Sequence, residues 1–358
     1  MLVFFFKIIC FKFGDKGNVP MNLEPGLHYS VKSIKQDYLI LDKWSKNLES
    51  FDNPSILGWD GKPEKSKRNH YLPFRKSKLI ISTVISAHLL DFAQNLLCSI
   101  NKNVSTNVGI ILIATSTNLC EKLEPQLSLM AHSSTCVYSN STTKHNRNTN
   151  VVYGTQEYNN QVSIKLNEWT NLLYMSHNQW FLFVDVDLVF LGDPLEYFSH
   201  LPQNKKQILF SGNGVFPNCQ KMINSGVYFI QSTNATRNLF STSQQYLLEG
   251  KTYDGTDQGA IQQALEDLKF SYDRLPCDTF VNGNWYWGDK SQIVAPIIVH
   301  ANWIAESKTK QKCMNLSSLW YYKNNKCQHI QKQQNKQVIV DMNHDVIKSC
   351  TMVPTKTK

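Results

Sequence analysis

The chain offers no apolar run long enough for a spanning helix, no cysteines at zinc-site spacing, no dense basic groove and no internal repeat. A membrane-crossing helix needs about 20 mostly apolar residues. The N-terminal MLVFFFKIICFKF is shorter and is interrupted by Lys7 and Lys12, so residues 2–13 read as a clipped signal anchor, with a signal peptide or an edge strand as the alternatives. Nine cysteines are scattered from Cys10 to Cys350, with no close pair suited to a structural metal cluster. The net charge of +9 is dispersed, and its densest stretch, Lys62 to Lys78, is broken by Pro63, Glu64 and Pro73 without aromatic interleaving. That excludes nucleic acid as the expected partner.

What is present points to a large α/β protein in an oxidising compartment. The 358 residues are 42% hydrophobic, enough for one large α/β domain or two smaller ones. Scattered cysteines suit an oxidising lumen, although sequence does not give their pairing. Four acceptor sequons, at Asn103, Asn140, Asn234 and Asn315, point the same way; chance occurrence in an asparagine-rich chain is the plainer alternative, and only Asn140 lies in an obviously loop-like stretch.

Residues 1–78 carry Gly, Pro and charge with little periodicity and read as a stem. Leu79 to Ile85 is a β-branched run typical of a buried strand, and His88 to Ile100 follows with helical spacing. Val108 to Ala114 and Asn118 to Met130 repeat the pair, which predicts a parallel sheet with crossover helices. Ser139 to Asn150 is low in complexity and reads as a loop. A long helix is expected over Gln156 to Tyr174, then strands at Trp180–Val184, Ile208–Ser211 and Val227–Ile230. Helices follow near Ala235–Leu248 and Asp257–Leu268, and a last apolar run leads into His300. Beyond Lys312 the composition predicts a weakly packed tail, 313–358.

The strongest chemical signal is the strand Trp180-Phe-Leu-Phe-Val184 leading into Asp185-Val-Asp187. Side chains two apart on an extended segment share a face, so both acids can enter one site at the ligand edge of the sheet. Two hard oxygen ligands suit Mg²⁺ or Mn²⁺; solvated or capping strand-end aspartates are the plainer alternative. Lys165 falls within the apolar stripe of Val162, Leu166, Trp169, Leu172 and Leu173, so it either snorkels outward or meets an anion. Asn224-Ser225-Gly226 introduces a hydrophobic strand as a loop that brings backbone close to a ligand. Thr256 or Asp257 is a candidate cap for the helix opened by Asp257-Gln258-Gly259. His300 ends a strand and is a candidate third metal ligand, with Lys308, Lys310 and Lys312 beyond it.

Taken in order, Lys165, FVDVDLVFLGDP, NSGVYFI, DQG, FVNG and HANW resemble the nucleotide-diphospho-sugar transferase family. The resemblance spans about Leu79 to Lys312 and implies a single catalytic domain of GT-A fold: Rossmann-like, with a mostly parallel sheet sandwiched by helices. It further implies a retaining glycosyltransferase that takes sugar from a nucleotide-diphosphate donor, with UDP the expected nucleotide, to a glycan or glycoprotein acceptor. By that resemblance Asp185, Asp187 and His300 hold Mn²⁺ or Mg²⁺, and Lys165, Asp185, Asn224, Ser225, Gly226 and Lys310 meet the donor. Asp257 and Gln258 lie beside the reactive face of the sugar. The implied location is the Golgi or another secretory lumen, as a type II protein anchored by its N-terminus. One departure stands out: Ala305-Glu306-Ser307 replaces the glycine common after the histidine, which leaves the choice of phosphate lysine open. The rival readings are a glycan-binding protein of the same fold without turnover, and a haloacid-dehalogenase-like phosphatase. The second also uses Asp-x-Asp, but that motif normally opens its domain.

Overall fold

The computed structural model of the chain describes residues 77–139, 155–202, 205–214, 219, 222–252, 254–286, 296–304 and 306–328. The expected stem before Ser77, the clipped anchor, and the loop from Asn140 to Asn150 therefore lie outside the described residues.

The first elements are β1 (Leu79–Ile85), α1 (Leu90–Asn103), β2 (Val108–Ala114), α2 (Thr117–Leu127) and β3 (Ser134–Tyr138). The long helix α3 (Gln156–Met175) leads to β4 (Trp180–Val184), β5 (Leu188–Phe190) and α4 (Pro194–Ser199). Next come β6 (Ile208–Asn213), β7 (Met222–Gln231), α5 (Asn234–Leu248) and α6 (Asp257–Asp267). The described chain closes with β8 (Asp273–Arg274), β9 (Phe280–Val281), β10 (Ile298–His300), α7 (Ser307–Leu316), β11 (Tyr322–Lys323) and β12 (Lys326–Cys327).

The central sheet has seven strands in the order β3-β2-β1-β4-β7-β6-β8. Its pairings are parallel except where β7 meets β4 and β6, so β7 alone runs in the reverse direction. Apolar side chains cover both faces: Ile81, Leu112 and Leu182 belong to one core cluster, Ile111, Phe181 and Phe183 to the other. This alternation is the period-two consequence of a strand buried on both sides. On the second face Trp169 of α3 stacks on Phe183 at 4.8 Å between ring centroids. A smaller sheet, β5-β10-β9, lies beyond the end of β4 and pairs His300 with Leu188.

Two expectations need correction here. Asn224, Ser225 and Gly226 are not a loop but part of β7. The ladder with β4 holds them extended, since Asp185 N donates to Gly226 O at 2.8 Å just past the Val184–Val227 pair. Against β6 the register jumps between Phe210 and Ser211, from Tyr228 to Asn224. Small residues fit because a bulge, not a turn, sits there. The boundary at Lys312 also cuts a helix in two, for α7 continues to Leu316, and Leu319, Trp320 and Tyr321 behind it are buried.

That C-terminal stretch is tied down by one buried side chain. Asn95 of α1 donates to Leu319 O at 3.1 Å and accepts from Tyr321 N at 2.5 Å and Tyr322 N at 3.2 Å. Disulfides join Cys98 to Cys327, Cys120 to Cys136 and Cys219 to Cys277, and Cys313 is disulfide-bonded as well. Asn95→Ala should leave buried backbone groups unpaired and cost about 3 kcal/mol of stability, by the penalty for orphaned polar groups. Urea unfolding of the oxidised protein measures it, and a loss under about 0.5 kcal/mol would dismiss the clamp.

Candidate functional site

The apolar strand β4 delivers Asp185 and Asp187 to its carboxyl end, the edge where α/β sheets bind ligands. Three backbone and strand contacts assemble the remainder around them. Gly226 O holds Asp185 N, Asp187 O accepts from Ala301 N at 2.9 Å, and the antiparallel β5–β10 pair brings His300 alongside. His300 Nε2 lies 3.2 Å from Asp187 Oδ1 and 3.7 Å from Asp185 Oδ2. One ligand atom from each of the three residues lies within 4.8 Å of the others.

Asp185, Asp187 and His300 thus converge as the sequence predicts, and the donor set is that of a hard divalent cation. Gly226 lets His300 and Asp185 pack directly against its backbone, where a side chain could not fit. A Cβ there would fall 2.2 Å from His300 Cε1, 2.6 Å from Asp185 Oδ2 and 3.1 Å from Asn224 Oδ1. Asn224 Oδ1 accepts from Gly226 N at 2.7 Å, while its Nδ2 is buried with no partner among the described residues. These residues fit a divalent ion. Gly226→Ala should lower Mn²⁺ affinity at least about tenfold, the usual penalty for disturbing the groups that orient metal ligands. A titration followed by electron paramagnetic resonance reads this directly, and unchanged affinity would remove the cradle from the argument.

Two lysines compensate the acids. Lys165 does not snorkel; its Nζ sits 2.9 Å from Asp185 Oδ1 and 2.7 Å from Asp257 Oδ2, over the Trp169 ring at 5.1 Å. Burial works against its charge, but the carboxylates of Asp185 and Asp257 prevail and hold its pKa above the ordinary lysine value. Lys310 Nζ lies 2.5 Å from Asp187 Oδ2. Burial opposes ionisation of Asp187 too, yet Lys310 and His300 keep its pKa below the usual carboxylate range. Of the three candidate lysines, Lys310 is therefore the one at the site, whereas Lys308 and Lys312 are exposed. Glu306 is exposed and accepts from Thr309 Oγ1 at 2.7 Å.

At the opening of α6 the capping question resolves. Thr256 is the cap, accepting from Gly259 N at 3.1 Å, and Asp257 turns instead to Lys165. Asp257 is only 2% exposed, and burial, the largest influence, pushes its pKa up against the offsetting Lys165. Gln258 stays half-buried and accepts from Ser225 N at 3.4 Å, which ties α6 to the bulge of β7. Asp257 and Gln258 thus adjoin the metal site through different partners.

Sequence reading missed two buried tyrosines. The hydroxyls of Tyr228 and Tyr286 have no partner among the described residues. Burial raises both pKa values, with Asp257 and Asp185 acting on Tyr228 and Asp187 on Tyr286. Both looked like ordinary core aromatics, and nothing in their spacing marked them. The FVNG and HANW segments also gain a physical account: Asn282 donates to Gly214 O at 2.8 Å, and Gly283 N donates to Asn302 Oδ1 at 2.5 Å. Trp303 adopts φ of 71°, rare for a bulky residue, and donates from Nε1 to Asn213 Oδ1 at 2.8 Å.

The sequence profile of the nucleotide-diphospho-sugar transferases matches residues 115–314. Comparison with curated proteins finds no match. Among solved structures, the bifunctional glycosyltransferase WbbM superposes with a TM-score of 0.47 at 12% identity, over 65% of this chain and 47% of that one. The glycosyltransferase GlyE of Streptococcus pneumoniae TIGR4 gives 0.46 at 14% identity, over 76% and 62%. Mouse xyloside xylosyltransferase 1 gives 0.45 at 11%, over 63% and 98%. The chain therefore spans about half of WbbM and under two thirds of GlyE. No helix among the described residues is long and apolar enough to cross a membrane.

Proposed function

Since the chain belongs to the nucleotide-diphospho-sugar transferase family, we propose that it is a metal-dependent glycosyltransferase. It moves a sugar from a UDP-sugar to a glycan or glycoprotein acceptor, with retention of configuration. The observation that carries this reading is the convergence of Asp185, Asp187 and His300, whose ligand atoms lie within 4.8 Å of one another. Asp185, Asp187 and His300 hold Mn²⁺ or Mg²⁺. When bound, that ion offsets charge on the departing diphosphate, the principal electrostatic task of such a reaction. Lys310 adds a second positive charge beside it, and Lys165 fixes the orientation of Asp185 while adding a third.

The residues opposite take separate roles. Asp257 acts through Lys165, since it is buried and ion-paired. Gln258, half-exposed and bonded to the Ser225 backbone, is the member of the pair that meets the sugar. The position of Asp185-Val-Asp187 after three earlier strands argues against the phosphatase reading, whose motif opens its domain. A secretory lumen, with the Golgi as the working site, is supported by the disulfides and the sequons.

A panel of nucleotide sugars, incubated with Mn²⁺ and without acceptor, tests the reading. Chelator-sensitive release of UDP from one of them is expected, and proton NMR of the fresh sugar from an α-linked donor should show the α anomer. Failure to bind or cleave any nucleotide sugar would leave a binding protein without turnover. A β product would overturn retention alone.

A further inference from the structure

Of the four sequons only Asn140 lies in an obviously loop-like stretch of sequence, and the fold separates the other three. Asn103 closes α1, and its Nδ2, the atom a glycan would occupy, donates to Phe190 O at 2.7 Å. Phe190 belongs to β5, the strand that pairs with β10 and brings His300 to Asp187. A glycan on Asn103 would displace that strand. Asn234 and Asn315 stand in contrast, because both are exposed. Asn234 Oδ1 accepts from Arg237 Nη1 at 3.3 Å, and its amide nitrogen is free among the described residues. Asn315 makes no side-chain hydrogen bond there.

Both positions also avoid the site. Asn234 begins α5 just after Gln231, which pairs with Trp180 at the amino end of β4. At about 3.4 Å per residue this is roughly 17 Å along the strand from Asp185. Asn315 follows Lys310 on α7, turned about 140° around the helix from it at 100° per residue. The buried hydroxyls of Thr236 and Ser317 are no obstacle, since a sequon is modified as extended chain before folding; a chain modified at Asn103 could not afterwards seat that nitrogen on Phe190 O, so it does not reach the native fold.

We propose that Asn234 and Asn315 carry N-linked glycans in the folded protein and that Asn103 does not, which rests on the secretory-lumen reading above. The step joins asparagine Nδ2 to the anomeric carbon of a lipid-diphosphate-linked oligosaccharide. The carbon–oxygen bond to the diphosphate breaks, and the amide proton leaves with the lipid diphosphate.

The full chain expressed in animal cells, purified folded and digested with peptide-N-glycosidase in heavy-oxygen water, reports each occupied asparagine as labelled aspartate. Label at Asn234 and Asn315, with none at Asn103, is expected. Asn234→Gln and Asn315→Gln should each remove one glycan's mass while Mn²⁺ affinity stays the same. Label at Asn103 in folded protein overturns the proposal, as does its absence from Asn234 or Asn315 in a chain labelled at Asn140. A chain unlabelled at all four, with every cysteine open to alkylation, overturns the lumen reading along with it. The proposed transfer activity is measured separately and survives that result.

Discussion

Asp187→Asn should lower kcat/KM for metal-dependent donor cleavage at least about a hundredfold, the scale at which removal of a principal electrostatic contribution is felt. The substitution keeps side-chain volume and removes a charged ligand. It also frees Lys310, which lies 2.5 Å from Asp187 Oδ2, and weakens the hold on His300 at 3.2 Å. Metal affinity should fall together with turnover, and added Mn²⁺ should restore part of the rate. The measurement needs a folded control, because Asp187 is buried at 8% exposure and ion-paired. Circular dichroism and a melting curve supply that control. A folded variant with wild-type, chelator-insensitive transfer would sink the metal assignment.

This site was legible in outline because its chemistry sits on the strongest pattern in the chain. Five apolar residues in β4 can only be a buried strand, so the acids after it had to emerge at a sheet edge. Lys165 was legible for a similar reason, as one charge within an apolar helical stripe. What the pattern could not convey is direction and register. β7 reads the same forwards or reversed, and only its pairing with β4 and β6 shows that Gly226 faces Asp185. The three-residue β5–β10 ladder is too short to leave a periodic trace, yet it brings His300 to Asp187. Lys308, Lys310 and Lys312 alternate identically in sequence; resemblance favours the middle one, and the fold supplies the physical reason by placing its Nζ beside Asp187. The disulfide between Cys98 and Cys327 spans 229 positions, a separation that no local rule can pair.

Lys165→Met should destabilise the protein by about 3–5 kcal/mol, the range for removing one partner of a buried ion pair. The loss is asymmetric, because Asp257 stays behind at 2% exposure with its main counter-charge gone. Burial already raises the pKa of Asp257, and without Lys165 the rise is no longer offset. The folded variant then binds a proton that the unfolded chain releases above about pH 4. Stability therefore falls as pH rises through the folded pKa, and the variant should be more stable near pH 5 than near pH 8. A second substitution separates charge from packing. Lys165→Met combined with Asp257→Leu replaces the pair by apolar groups, and should recover most of the lost stability and flatten the pH dependence. Activity should not return with it, because Asp185 would still lack the ammonium that lies 2.9 Å away in the native site. Urea titrations of the single and double variants at both pH values measure these differences. Equal stability of the single variant at both pH values would show that Asp257 does not depend on Lys165. Restored transfer in the double variant would remove Lys165 from the donor site and leave it a purely structural cation.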